Sequence, residues 1–498
     1  MSRLAFYLTS DWGLGLPIVL ATVVLYGRTM EPSIGGTYDS AELQHAAYTL
    51  SLAHATGYPL FLLLGKVWTL LFPFGDIAFR MNWFSVVWAV GTVALTFAIL
   101  LHLTNHRMAS VLGALVLATS KPFWNEAGAS QIGTFNTFLT AALILCLLLW
   151  REGRIRLELC AFVYGLALSH HRTVLFYAPG VLFFVVLTQP GVLRSGRLIL
   201  RSLGLMLLPF IAYIYVPLRS ATAPGLVTDL SSFISYVLGT SVAGYLRDDG
   251  TRVILQRVRQ IPDLYRAWFS MVGLILVLVG FWHWAGPWVQ KADNWAVKLL
   301  LGLTFVLVTL FTVAFGETER YLLVPVMIMA IALGIGVARL ARLSHLIDRE
   351  NHRFPSASLV NNSVLSIALV VLLVRAVLLG FPVADHSQDF AGRNFAREAL
   401  ALPIEPGAIM IAEWEEMNQI RYVQRVEGIR PDIQTVEGLR TSQIAALIQQ
   451  MITSDKPIYL TPDLKLPTEG HEYLPMGQLS RLIVAPNYDS GIRLPGAY

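Results

Sequence analysis

The side chains that can do chemistry gather at a few short motifs. Gly36-Thr37-Tyr38-Asp39-Ser40-Ala41-Glu42 sets two carboxylates three residues apart, which puts them on one face of a helix. A partly desolvated carboxylate at a bilayer surface suits general-base attack on the proton of an acceptor hydroxyl. The same residues also fit an acidic first turn that complements a helix dipole, with Thr37 and Ser40 as caps. Ala53-His54-Ala55-Thr56-Gly57-Tyr58-Pro59 is a turn, with φ pre-set at Pro59 and free at Gly57. His54 there either contacts a phosphate or acceptor, or fixes the turn by hydrogen bonds. His170, His171 and Arg172 are consecutive, and adjacent helical residues do not share a face, which argues against a two-histidine metal site. Arg172 and Arg219 suit phosphate, because a guanidinium stays charged and can bind two oxygens at once. They equally suit lipid phosphates at a membrane interface. Glu126, Gln131, Glu317, Glu319 and Arg320 are further polar residues at the ends of apolar runs, and Glu317–Arg320 also reads as an ion-pair turn. There is no P-loop, no dinucleotide fingerprint after a strand, no HExxH and no zinc-spaced Cys/His set, so direct use of ATP or nucleotide sugars has no support.

What must position these groups is a membrane protein. Of 498 residues, 55% are hydrophobic and 14% charged, against roughly 25% charged in soluble chains. This excludes a soluble globular enzyme and a disordered chain. Two cysteines exclude a disulfide scaffold, and the net charge of +5 reflects loop placement of Lys and Arg rather than a nucleic-acid partner. A spanning helix takes about 20 apolar residues. Such runs lie near 12–29, 82–103, 108–120, 132–150, 157–169, 173–188, 199–217, 267–285, 298–315, 321–339 and 361–381. Placing the basic loops (Arg107; Arg151, Arg154 and Arg156; Arg194, Arg197 and Arg201; Lys291; Arg339, Arg342, Arg349 and Arg353) in the cytoplasm requires about eleven spans. The N-terminus is then cytoplasmic, as a retained signal anchor of a multi-pass plasma- or inner-membrane protein. The run 57–74 is long enough to span, but doing so would invert every later loop, so 41–74 reads as surface helices with Lys66 and Trp68 at the interface. The chemical residues above then all fall on the outer face.

From about residue 382 the pattern changes. Runs at 408–413, 432–436 and 457–461 read as strands, and 416–428 and 441–452 as helices, which predicts β-α-β units and a parallel sheet. The expected organisation is a transmembrane bundle over 1–381, with outer loops at 30–81 and 218–266, and a small extracytoplasmic α/β domain over 382–498.

Asp39-Ser40-Ala41-Glu42, the 53–59 motif and Phe79-Arg80-Met81-Asn82 resemble the opening of a large multispanning family once catalogued as of unknown function. That family is similar to the protein O-mannosyltransferases that modify IPT domains and belongs with the GT-C glycosyltransferases, which use polyprenyl-phosphate sugars. The resemblance extends through Phe123-Trp124, Thr134-Phe135-Asn136, His171 and Tyr215-Val216-Pro217-Leu218-Arg219, and to Gly428-Ile429-Arg430-Pro431-Asp432 in the tail. It implies a GT-C bundle with Asp39 as the catalytic carboxylate and Glu42 its partner. It places His54, Tyr58, His171, Glu126, Gln131 and Glu319 about the cavity or acceptor, and Arg219 with Arg172 at the donor phosphate. Where the family often has a glutamate this chain has Gln131, which cannot act as a base; Glu126 could substitute only if its loop turns inward. Some GT-C enzymes use a divalent metal and others none, and Asp39, Glu42 and Gln131 do not decide between them. The implied partners are a polyprenyl-phosphate-linked sugar, a protein or glycan acceptor, and membrane lipid. The rival class is a transporter or flippase for a lipid-linked or anionic substrate. It predicts matched broken helices in two repeats, and no such symmetry is visible.

Overall fold

The computed structural model describes residues 12–36, 38–222, 226–240, 251–282, 294–316, 318–350, 356–437, 456–461, 464 and 471–484. It is mainly helical with one small sheet, as the sequence predicts. The described chain divides into two compact units. One comprises residues 1–30, 52–65 and 82–387; the other comprises 31–51, 66–81 and 388–498.

Among the described residues, six helices are long and apolar enough to cross a bilayer: Ile77–Thr104, Ile132–Arg151, Gly196–Leu218, Arg252–Phe281, Trp295–Phe315 and Leu323–Leu343. Shorter apolar helices cover Gly13–Thr29, Pro59–Leu71, Arg107–Ala118, Leu157–His170, Arg172–Thr188 and Val370–Ala384. Each of the eleven predicted runs overlaps one of these helices, and Pro59–Leu71 lies within the ambiguous 57–74. The run expected at 267–285 begins earlier, as a helix from Thr251 that changes direction at Ser270, where φ is 59°. Residues 251–266 of the expected 218–266 loop are therefore helical.

The first unit is built around Leu323–Glu350, whose apolar stretch is 94% buried. Without a hydrophobic drive between helices in lipid, close backbone approach supplies the packing energy, and small residues permit it. A Cβ at Gly336 would lie 2.1 Å from the Leu276 carbonyl oxygen, and one at Gly113 would lie 2.9 Å from that of Ala330. Two arginines near the far end of the central helix close other helices. The buried Arg339 donates to the Val279 and Trp282 carbonyls, and Arg342 to that of Thr104. A cation there meets unpaired carbonyls and the negative end of the helix dipole. Arg339 lies 16 residues beyond Leu323, about 24 Å along a helix. The Thr104–Arg107 turn and the Glu319–Tyr321 turn thus sit at opposite ends of this unit, the sidedness expected from the charge pattern.

The second unit contains the C-terminal tail and its sheet. Its five strands are β1 (Ile409–Ala412), β2 (Gln434–Glu437), β3 (Ile458–Leu460), β4 (His471–Met476) and β5 (Leu479–Val484), in the order β2-β1-β3-β5-β4. β1 pairs in parallel with β2 and β3, as predicted. The sheet is mixed rather than wholly parallel, because the β4–β5 hairpin turns at Gly477 (φ 63°) and adds two antiparallel strands. Polar and proline residues within these strands (Pro475, Arg481) hide the alternation. The helix expected at 441–452 lies outside the described residues. The helices Ala391–Ala401 and Trp414–Val426 cover one face of the sheet through Ala396, Leu400, Met417, Ile420 and Val423.

Gly336→Ala should cost about 1–3 kcal/mol, as overpacked cores do, and lower the melting midpoint in detergent. Gly302→Ala is the control: a Cβ at Gly302, in the same bundle, meets nothing within 4 Å. It should leave the midpoint unchanged or raise it slightly.

Candidate functional site

The expected site residues fall in both units. In the second, the helix Ser40–Thr49 starts after Asp39, which occupies the N-cap position without a side-chain capping bond. Its carboxylate Oδ1 instead accepts the indole N–H of Trp414 at 3.0 Å. Thr37, one of the two expected caps, lies outside the described residues. The other, Ser40, accepts from Gln44 through its hydroxyl at 3.0 Å. Glu42 is buried, in the field of Arg425. These two acids offer the hard oxygen donors that a divalent cation takes.

Residues 31–51 and 66–81 are stitched to the tail by bonds from several directions. The Arg393 amide donates to the Ile34 carbonyl, and the Gly36 amide to Asp389 Oδ2 at 3.3 Å. The Ala78 amide donates to Tyr422 Oη at 2.9 Å, and His45 Nε2 meets Asn418 Oδ1 at 3.3 Å. A Cβ on Gly392 would come within 2.3 Å of the Gly35 carbonyl oxygen, so the backbones touch there. Burial of His45, together with the positive charges of Arg425 and Arg421, holds its imidazole well below the usual histidine range and outweighs the hydrogen bond to Asn418.

In the first unit, a second group forms at the Glu319–Tyr321 end. His54 Nε2 and Tyr58 Oη are 3.2 Å apart. The Tyr58 ring lies parallel to that of His171 with centroids 6.3 Å apart, and His171 lies 5.7 Å from Tyr321. The turn carrying His54 is fixed by Tyr236, whose hydroxyl donates to the Ala53 carbonyl. It requires glycine at Gly57: φ is 80°, and a Cβ would strike the Tyr236 hydroxyl at 2.5 Å. Arg219 belongs to the same neighbourhood through its backbone. Its carbonyl accepts from Thr222 Oγ1, which in turn accepts the Leu52 amide.

The remaining residues have clear contacts. Arg172 is exposed and donates to the Leu238 carbonyl at the end of the Leu230–Leu238 helix, where a cation complements the dipole. Its neighbour His170 is fully buried against Phe61 and Phe135 and bonds the Ile132 carbonyl, a packing role. Glu126 is buried and turned inward, with Oε1 where a Cβ on Gly133 would sit, at the start of the Ile132–Arg151 helix. Gln131 is fully buried and accepts through Oε1 from Arg320. Glu319 faces Lys121 at 3.6 Å. Glu317 lies outside the described residues. Sequence reading did not single out Lys121 and Tyr321 as site residues, although Tyr321 adjoins the polar Thr318-Glu319-Arg320 run. Trp414, His45 and Asn418 gave no local signal at all.

The comparisons follow this geometry. The model of the Protein O-mannosyl-transferase TMEM260 N-terminal domain matches residues 39–192, a match that starts on Asp39. Protein O-mannosyl-transferase TMEM260 of Mus musculus is 24% identical over 455 residues, covering 85% of this chain and 62% of the relative. The chain thus spans about three fifths of that relative's length. Among solved structures, ArnT from Cupriavidus metallidurans, bound to undecaprenyl phosphate, superposes with a TM-score of 0.62 at 12% identity, covering 95% of this chain and 98% of ArnT. By fold, this chain resembles ArnT. The Archaeoglobus fulgidus oligosaccharyltransferase, tethered to an acceptor peptide, agrees at a TM-score of 0.55 and 8% identity, over 91% of this chain and 69% of that one.

The low folded-state value of His45 has a stability consequence. Above pH 6.5 the imidazole is neutral in both folded and unfolded chains and adds no proton-linked term. As pH falls below 6.5 the unfolded chain takes up a proton that the folded chain resists, so stability is lost by up to about 1.4 kcal/mol per pH unit. Melting midpoints of the wild type and His45→Gln, compared from pH 8 to pH 5, should show the wild type falling more steeply on the acid side. Equal slopes would show that His45 does not carry this term.

Proposed function

We propose that this chain is an inverting glycosyltransferase that moves a hexose from a polyprenyl-phosphate donor to a hydroxyl on a protein acceptor. The GT-C fold supports this reading, as does the transferase name of the relative whose family model begins on Asp39. The lipid donor is argued from ArnT, which was solved with undecaprenyl phosphate, and the protein acceptor from the oligosaccharyltransferase and its peptide. The observation that carries the assignment of the base is the carboxylate of Asp39, which stands at a helix start yet is not used as its cap.

In the reaction, Asp39 takes the acceptor hydroxyl proton while that oxygen bonds to the anomeric carbon. The bond from this carbon to the phosphate oxygen breaks, and polyprenyl phosphate leaves with the electron pair. Attack opposite the leaving group inverts the configuration. Arg219 meets the charge that develops on the departing phosphate, a stabilisation aimed at the transition state. Glu42 keeps the local field of the base, and His54, Tyr58 and His171 present ring edges and faces to the sugar or acceptor. A lipid-linked donor explains why no nucleotide fold is needed. The reaction takes place on the extracytoplasmic face, with the N-terminus in the cytoplasm and the tail domain outside.

Purified full-length chain, incubated with polyprenyl-phosphate mannose and an acceptor-protein panel, should add hexose detectable by mass spectrometry. Asp39→Asn should lower transfer by about 10²–10⁴-fold, the usual worth of a general base, while Arg219→Gln should lower kcat and kcat/KM together, as the loss of a transition-state contact does. Wild-type transfer by Asp39→Asn would overturn the base assignment. In intact cells, a cysteine placed beside Glu319 should react with an impermeant reagent and one beside Arg107 should not; the reverse pattern would overturn the orientation.

A further inference from the structure

We propose that Trp414, a residue of the tail, is a positioning residue for Asp39: its indole N–H fixes the plane of the carboxylate that takes the acceptor proton. This rests on the reading of Asp39 as the base. Trp414 is the first residue of the Trp414–Val426 helix, and its Nε1 lies 3.0 Å from Asp39 Oδ1. Both residues belong to the second unit.

Three residues on one ridge of that helix, four apart, each bond to the chain around Asp39. Trp414 bonds Asp39, Asn418 bonds His45, and Tyr422 bonds the Ala78 amide. Residues four apart stack on one face, so a single rigid helix sets all three contacts. Asn418 and Tyr422 are fully buried. Asn418 Nδ2 also donates to the Trp414 carbonyl at 2.9 Å, tying the ridge together. His45 lies on the helix that Asp39 introduces, so its bond to Asn418 holds that helix against the ridge.

The chemistry of the donor matters. An indole N–H donates only and carries no charge. It can orient a carboxylate without the full neutralisation that an arginine at the same place would bring. Met417, Ile420 and Val423 of this helix pack in the tail core, and Tyr422 and Trp414 join the same cluster, so the ridge is anchored by the core as well as by its hydrogen bonds.

Two replacements at Trp414 in the full-length protein test this. Trp414→Phe keeps an aromatic ring and removes the donor; 3-benzothienylalanine at the same position keeps the indole shape and also removes it. Both should lower kcat about tenfold, the effect of losing one hydrogen bond to a charged group. The donor KM should stay within about twofold and the melting midpoint should be unchanged. A wild-type kcat in the benzothienyl protein would overturn the proposal, since shape alone would then suffice. So would a loss of kcat that appears only together with a raised KM and a lowered midpoint. Asp39→Asn run in parallel separates the two readings. If it retains wild-type transfer, the base assignment fails and this proposal falls with it. If it is inactive while the Trp414 replacements are unimpaired, only the positioning role fails.

Discussion

A carboxylate that is to accept a proton must be held still without being quenched. Close pairing with a guanidinium fixes it but also depresses its basicity, and leaving it to water fixes nothing. The Trp414 indole offers a third way to hold Asp39. A neutral indole N–H holds one oxygen, and Arg425 lies near Glu42 and His45 on the following helix. Much of the second unit follows from this arrangement. Residues 31–51 and 66–81 are two short, separate stretches of the chain. They borrow the tail's hydrophobic core, where Ile34, Ala41 and Ala78 pack with Ala396, Met417 and Tyr422. The tail is thus part of the scaffold for the carboxylate segment.

The first unit meets a different constraint. Its helices lie in an apolar solvent and gain little from burying apolar surface, so their contacts depend on fit. Glycines at 113 and 336 bring backbones into contact, and arginines 339 and 342 satisfy helix ends that lipid could not. Such a frame is stiff where it must be. The turn at His54 and the one at Arg219 are joined by hydrogen bonds through Thr222. Sites on linked turns keep their spacing better than sites on independent loops.

The legible part of this protein was whatever a local signal encodes. Apolar runs long enough for a helix gave the spanning elements, and Lys/Arg placement separated the two ends of the bundle, because both arise within 20 or 30 residues. The α/β character of the tail showed for the same reason at β1, β2 and β3. Long-range pairing left no such trace. Trp414 is 375 residues from Asp39, and nothing about a tryptophan beginning an ordinary amphipathic helix announces its partner. Arg172 carried a type-based expectation of phosphate, and its guanidinium also reaches the carbonyl end of a helix, a contact with no sequence signal. Glu126 depended on a loop direction that sequence does not specify, and it proves to be turned inward.

The departure at Gln131 takes on meaning once its partner is known. The resemblance implies a glutamate at this position, and here the amide oxygen accepts from Arg320. A glutamate would form an ion pair with that guanidinium and cancel its charge locally. A glutamine gives nearly the same geometry, since its carbonyl oxygen can occupy one carboxylate position, but it supplies no countercharge. The substitution therefore removes a second base from the first unit. It also leaves the charge of Arg320 uncancelled by this one partner. In the proposed reaction a positive field would act on the bound phosphate and more strongly on the phosphate as it departs. With the Gln131 position unable to take a proton and Glu126 set against a helix start, the acid–base work of the reading falls to the carboxylate of Asp39.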